Sequence, residues 1–144
     1  MPATIDSILA DFEILDDWED RYRFVIELGK ALPPLPARDR TDANKVRGCV
    51  SQVWLASSYV TRPDGRVVLQ LVGDSDALIV RGLVAILITL FSGRTAEQIL
   101  SSDAEAVFAR LGLKEHLTPQ RSNGLASMLA RIRADALEAI AGAR

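Results

Sequence analysis

The 144-residue chain contains one cysteine, Cys49, and one histidine, His116. A disulfide framework needs paired cysteines, so none can form within the chain. A zinc ribbon or a four-cysteine iron–sulfur site needs more soft ligands than these two residues supply. Aromatic residues make up only 6% of the sequence. No apolar run reaches the roughly 20 residues that span a bilayer. The most apolar stretch, 77–91, is interrupted by Arg81 and Gly82 and reads as a buried helix. The net charge of -2 argues against a dedicated nucleic-acid binder. Residues 1–20 have no Lys or Arg but seven acids: Asp6, Asp11, Glu13, Asp16, Asp17, Glu19 and Asp20. A signal peptide opens on basic residues and a transit peptide is Arg-rich, so neither fits. The expectation is a soluble cytoplasmic protein.

Hydrophobic residues are plentiful, at 49%. A chain of this length buries about two-thirds of its surface on folding, enough for a core without disulfides or metal. One domain over 1–144 is expected, and a monomer. Ile5, Ile8, Leu9 and Phe12 recur at helical spacing and open the chain with a short amphipathic helix. A second helix has Asp17 as N-cap and a buried stripe of Trp18, Tyr22, Val25, Ile26 and Leu32. It stops before Pro33-Pro34, and 33–43 reads as a surface loop.

Segment 51–61 is rich in β-branched and aromatic residues and reads as a strand, as does 66–72. Arg62-Pro63-Asp64-Gly65 is a turn that pairs them antiparallel. Asn44 to Arg47 is a candidate third strand. Gly73-Asp74-Ser75-Asp76 is expected to end the sheet and cap the apolar helix from Ala77. Thr95 with Gln98, and Ser102 with Glu105, look like capping boxes. A last helix buries Leu125, Met128, Leu129, Ile132 and Ala136, and starts at either Thr118-Pro119 or Ser122. The order predicts an α+β fold, a small antiparallel β-meander covered by helices.

Cys49 lies where the loop gives way to the strongest strand, preceded by Gly48. Glycine lets the loop tip adopt conformations closed to other residues. Lys45 and Arg47 would favour the thiolate, the nucleophilic form, if they turn toward the sulfur. A buried structural cysteine is the competing reading. With no second thiol, an internal disulfide cycle is impossible, so another molecule must complete any sulfur chemistry. Acyl transfer, peroxide reduction and sulfur relay all meet that condition. His116 reads as solvent-facing or hydrogen-bonded rather than as a partner of Cys49. Asp74 and Asp76 read as helix caps. Arg121 is a lone cation at a helix start, the end of the helix dipole that disfavours it. Trp18 and Trp54 read as core.

The run Asn44 to Trp54, with its Gly-Cys-x-Ser-Gln-Val-Trp centre, resembles the active loop of SufE proteins. Three further blocks follow in the same order. They are Trp18-Glu19 and Arg21-Tyr22 with Ile26-Glu27-Leu28-Gly29; Gly73 to Ala77 with Ile79-Val80 and Gly82-Leu83; and His116 to Pro119 with Arg121-Ser122 and Gly124-Leu125. Val50 departs from the Gln of many members, and the hairpin at 59–66 is slightly longer than in some. The resemblance implies an α+β fold shared with IscU-type scaffolds. It implies no cofactor of its own and a partner that is a pyridoxal-phosphate cysteine desulfurase of the SufS or CsdA kind. Cys49 would accept persulfide sulfur, stimulate the desulfurase and relay sulfur to an iron–sulfur scaffold or another acceptor. Lys45, Arg47, Gly48, Ser51, Asp74, Asp76 and Arg121 would support the loop or face the partner. A stand-alone single-cysteine peroxidase or acyl hydrolase, and a non-covalent desulfurase regulator, are the alternatives.

Overall fold

The computed structural model describes residues 4–49 and 51–142, so Val50 lies outside the described residues. Helix α1 (Ile5–Ile14) starts on Thr4, whose hydroxyl accepts from Ser7 N, and buries Ile8, Leu9 and Phe12. Helix α2 (Trp18–Lys30) starts on Asp17, whose carboxylate accepts from Glu19 N at 2.8 Å. A single 3-10 turn, Ala37–Asp39, interrupts the loop that follows. Strands β1 (Val53–Thr61) and β2 (Val67–Ser75) pair antiparallel in a two-stranded sheet. Then come α3 (Leu78–Phe91), α4 (Ala96–Ser101), α5 (Ala104–Arg110), the one-turn α6 (Leu113–His116) and α7 (Pro119–Gly142). The α+β expectation matches this arrangement.

Three local expectations are corrected. The third strand is reduced to one bridge, Lys45 to Trp54, with Val46 N donating to Val53 O and Leu55 N to Asn44 O. Gly73, Asp74 and Ser75 do not end the sheet. They continue β2 and pair with Leu55, Trp54 and Val53. The second capping box is absent as well: Asp103, not Ser102, accepts from Ala106 N at the start of α5. The first one forms, with Thr95 and Gln98 each accepting the other's backbone N–H. Of the two candidate starts for the last helix, Thr118 is used: its hydroxyl accepts from Arg121 N.

Helix α3 is the hub of the core, with Leu83, Val84, Ile86, Leu87 and Phe91 almost fully buried. Its meeting with α2 is unusually close. A Cβ on Gly82 would sit 2.1 Å from Val25 O, and one on Gly29 2.6 Å from Gly82 N. Only glycine at both positions lets the two backbones approach this far. Helices α2 and α7 pack beside α3, and the sheet lies against it. The far edge of β2 is covered by the chain after α3, where Leu69 N donates to Arg94 O and Gly93 N to Leu69 O. The start of β1 is covered by the loop that carries Cys49. This places the cysteine where β1, α3 and α7 converge.

Candidate functional site

The cysteine loop is tied down at both ends. On one side, the Arg40 guanidinium pairs with the Asp74 carboxylate and lies 4.8 Å from the centre of the Trp54 ring. Asp74 is only 4% exposed. Its second oxygen faces Arg81 Nη1 at 3.4 Å, and Arg81 also donates to Leu32 O. One buried carboxylate thus joins the loop, β2 and α3. On the other side, Asp76 accepts from Gln52 N at 3.0 Å while its own N–H donates to Gln52 O. The expectation that Asp74 and Asp76 cap α3 is therefore corrected. Both carboxylates engage the loop, Ala77 stands at the helix start without a side-chain cap bond, and Ser75 Oγ accepts from Ala77 N.

Between these ties the chain projects over the first turns of α7. Gly48 has φ +86, in the left-handed region that disfavours side chains. Its Cα lies so near α7 that a Cβ would sit 2.6 Å from Ser127 Oγ. The turn aims Cys49 inward. Its Sγ lies 3.7 Å from Gly124 O, within reach of a weak S–H to O=C hydrogen bond. The sulfur borders an open cavity of about 200 Å³ lined by Ser51, Val80, Thr118, Gln120, Arg121, Gly124 and Met128.

Cys49 is half-buried, and burial pushes its thiol above the ordinary value of 9.0. Neither Lys45 nor Arg47 is among the residues lining the cavity that the sulfur borders. Lys45 is half-buried beside Trp54, Val46 is buried, and Arg47 points to solvent. Arg121 and Ser51 do line the cavity. His116 does not. It stacks on Trp18 with ring centres 3.8 Å apart, and its carbonyl accepts from the Tyr22 hydroxyl. The structure therefore leaves His116 away from the thiol, at the edge of an aromatic cluster with Phe12, Tyr22 and Phe24.

Val80, Gln120 and Met128 were not singled out as site residues from sequence. Val80 and Met128 carry only the mark of core positions on helices. The signal that could have found Gly124 is its place one turn past Arg121 on the same face of α7. Among the described residues, no group of three or more His, Cys, Asp or Glu could hold a metal ion. None of the described helices is long and apolar enough to cross a membrane.

The fold and the site together define a one-cysteine α+β protein whose thiol rests against a helix, with no second thiol to close a disulfide. Residues 6–136 match the family described as SufE: Fe-S metabolism associated domain. An uncharacterized SufE-like protein of Rhizobium etli is 54% identical over 134 residues, covering 93% of this chain and 90% of that protein. An uncharacterized SufE-like protein of Rhizobium meliloti is 53% identical over the same length, covering 95% of its own chain. The chain belongs to the SufE family, which is associated with iron–sulfur metabolism.

Proposed function

We propose that this protein accepts sulfur on Cys49 from the persulfide of a pyridoxal-phosphate cysteine desulfurase, stimulates that enzyme, and passes the sulfur to an iron–sulfur assembly scaffold or another acceptor. The observation that carries this reading is the pose of Cys49: the chain's only thiol stands on a glycine-hinged loop at the edge of a small cavity.

The transfer follows the logic of thiol–disulfide exchange. Cys49 loses its proton and attacks the outer sulfur of the donor's persulfide. A new S–S bond forms on Cys49, the donor's S–S bond breaks, and the donor's thiolate leaves and takes up a proton. One thiol and one persulfide become one persulfide and one thiol, with no net oxidation. In the onward step an acceptor's thiolate attacks the outer sulfur on Cys49, its new S–S bond forms, and the Cys49 thiolate leaves and takes up a proton. No cofactor of the carrier's own is needed, and a monomer of one domain in the cytoplasm suffices.

Burial disfavours the nucleophilic thiolate in the resting pose, so the loop must leave the cavity before the attack. Gly48 supplies the hinge. Asp74 and Asp76 hold the loop's base, while Lys45, Arg47, Ser51 and Arg121 stand toward the donor. Shielding at rest also protects the thiol from over-oxidation. A stand-alone thiol enzyme would need a general base beside the sulfur, and the only histidine is committed to Trp18 instead.

The test is Cys49→Ser assayed for stimulation of a cysteine desulfurase. Loss of stimulation, with an unfolding transition unchanged at neutral pH, is expected. Full stimulation by the variant would overturn covalent relay in favour of non-covalent regulation. Turnover of peroxide or an ester by the wild-type protein alone would favour the stand-alone enzyme.

A further inference from the structure

At its N-terminal end α7 presents two different faces. Gln120, Arg121, Gly124 and Met128 face the Cys49 cavity. The residues interleaved with them, Ser122, Asn123, Leu125 and Ala126, line a second and larger depression of about 870 Å³. It continues along α7 to Leu137, and its other wall is α5. Phe108, Leu125 and Leu129 form a buried floor, while Ala126, Ala130 and Ala134 leave the α7 side open and solvent-exposed. Leu137 is 58% exposed, one of the larger apolar side chains this surface leaves in water.

One ion pair bridges the groove's two walls. Arg133 on α7 donates two bonds, each 3.0 Å, to the two carboxylate oxygens of Glu105 on α5. The fork pairs the only two charged side chains among the groove's lining residues. What remains is a neutral, largely apolar channel.

We infer that this groove anchors the sulfur donor, receiving a large apolar side chain carried on a helix or loop of the desulfurase surface. The inference rests on the sulfur-acceptor reading. Sulfur exchange brings two sulfurs to about 2 Å, so the donor must lie over the mouth of the Cys49 cavity. A stable interface covers about 800 Å² on each partner, a disc of roughly 16 Å radius. Helix α7 with its side chains is only about 10–12 Å across. A donor centred on Cys49 therefore reaches over α7 and covers at least the near end of the groove, at Asn123, Ala126 and Phe108. Interfaces concentrate affinity where an apolar group fills such a pocket beside a polar rim. The cavity mouth with Arg121 and Ser51 is that rim.

The experiment replaces Ala126 and Ala130 with lysine. Lysine is nearly as good a helix former as alanine, so α7 persists. Desulfurase turnover is measured against the concentration of this protein. The concentration giving half-maximal stimulation should rise about tenfold or more, while turnover at saturation is retained. Half-saturation at the wild-type concentration, with a wild-type protein that does load sulfur, sinks this inference alone. A wild-type protein that neither loads sulfur nor stimulates sinks the sulfur-acceptor reading along with it. Sedimentation that finds a wild-type dimer broken by the two lysines would give the groove to a second copy of the chain and overturn the assignment.

Discussion

Replacing Gly48 with alanine should release Cys49 from its resting pose. Two costs follow from the geometry. An alanine at φ +86 pays about 1–2 kcal/mol for the left-handed conformation. Its Cβ would also lie 2.6 Å from Ser127 Oγ, and turning Ser127 away from its rotamer costs about another 1 kcal/mol. The resting pose is thus penalised by roughly 2–3 kcal/mol. At 1.4 kcal/mol per factor of ten, its population relative to the open loop falls about thirtyfold to a hundredfold. Iodoacetamide alkylation of Cys49, followed by mass spectrometry at pH 8, reports the open population and should accelerate by about that factor. Ser127→Ala provides the internal control. It removes the Oγ and leaves the Ser127 Cβ at 3.4 Å from the new methyl, an ordinary contact. The double variant should keep only the backbone term, an acceleration of about tenfold. Alkylation of Gly48→Ala at the wild-type rate, or no relief from Ser127→Ala, would refute the idea that Gly48 and α7 hold the loop shut.

Other expectations follow from the same contacts. Because burial raises the Cys49 pKa, the pH profile of wild-type alkylation should have its midpoint above 9.0, and a midpoint below it would contradict the buried pose. The sign for stability is that of a group whose folded pKa is raised. The contribution is fully present below the unfolded thiol's pKa and is lost as pH rises through the folded value, so Cys49→Ser should remove that alkaline loss. Gly82→Ala would put a methyl 2.1 Å from Val25 O and force α2 away from α3. About 3 kcal/mol of overpacking corresponds to a Tm lower by roughly 6–12 °C in a thermal scan, and an unchanged Tm would deny the close crossing. Asp74→Ala would leave the partly exposed Arg40 and Arg81 guanidinium groups without their shared carboxylate, at a cost of roughly 2 kcal/mol in urea unfolding. Wild-type stability in that variant would show that the buried carboxylate does not fasten the loop.

The parts of the fold legible in the sequence are those fixed by near neighbours. Asp17 caps α2, Thr95 and Gln98 form their box, and the apolar run from Ala77 becomes the central helix, because each depends on residues a few positions apart. The hairpin followed from a turn between two β-rich runs. What was misread depends on distance along the chain. Asp74 and Asp76 stand just before a helix, where local chemistry favours capping. Arg40, 34 residues earlier, draws the buried Asp74 carboxylate into an ion pair instead. Asp76 is taken by the backbone of Gln52, 24 residues away. The candidate third strand at Asn44 to Arg47 has only Val46 as a β-favouring residue and forms only one bridge, since the chain turns toward α7 at Gly48. At the site, the loop, its cysteine and its glycine were visible in the motif. The lining residues on α3 and α7 were not, because nothing in a helix's own sequence says which part of its buried face meets a sulfur atom rather than the core.

The central claim, covalent sulfur transfer to Cys49, is tested most directly by the intact mass of the protein. The protein is incubated with an active cysteine desulfurase and L-cysteine, then weighed with and without a thiol reductant. A gain of about 32 Da on Cys49 that the reductant removes is the predicted persulfide. A sulfinic acid has nearly the same mass but resists thiols, so the reductant separates the two. No reversible gain on Cys49, with the desulfurase turning over, would contradict the account.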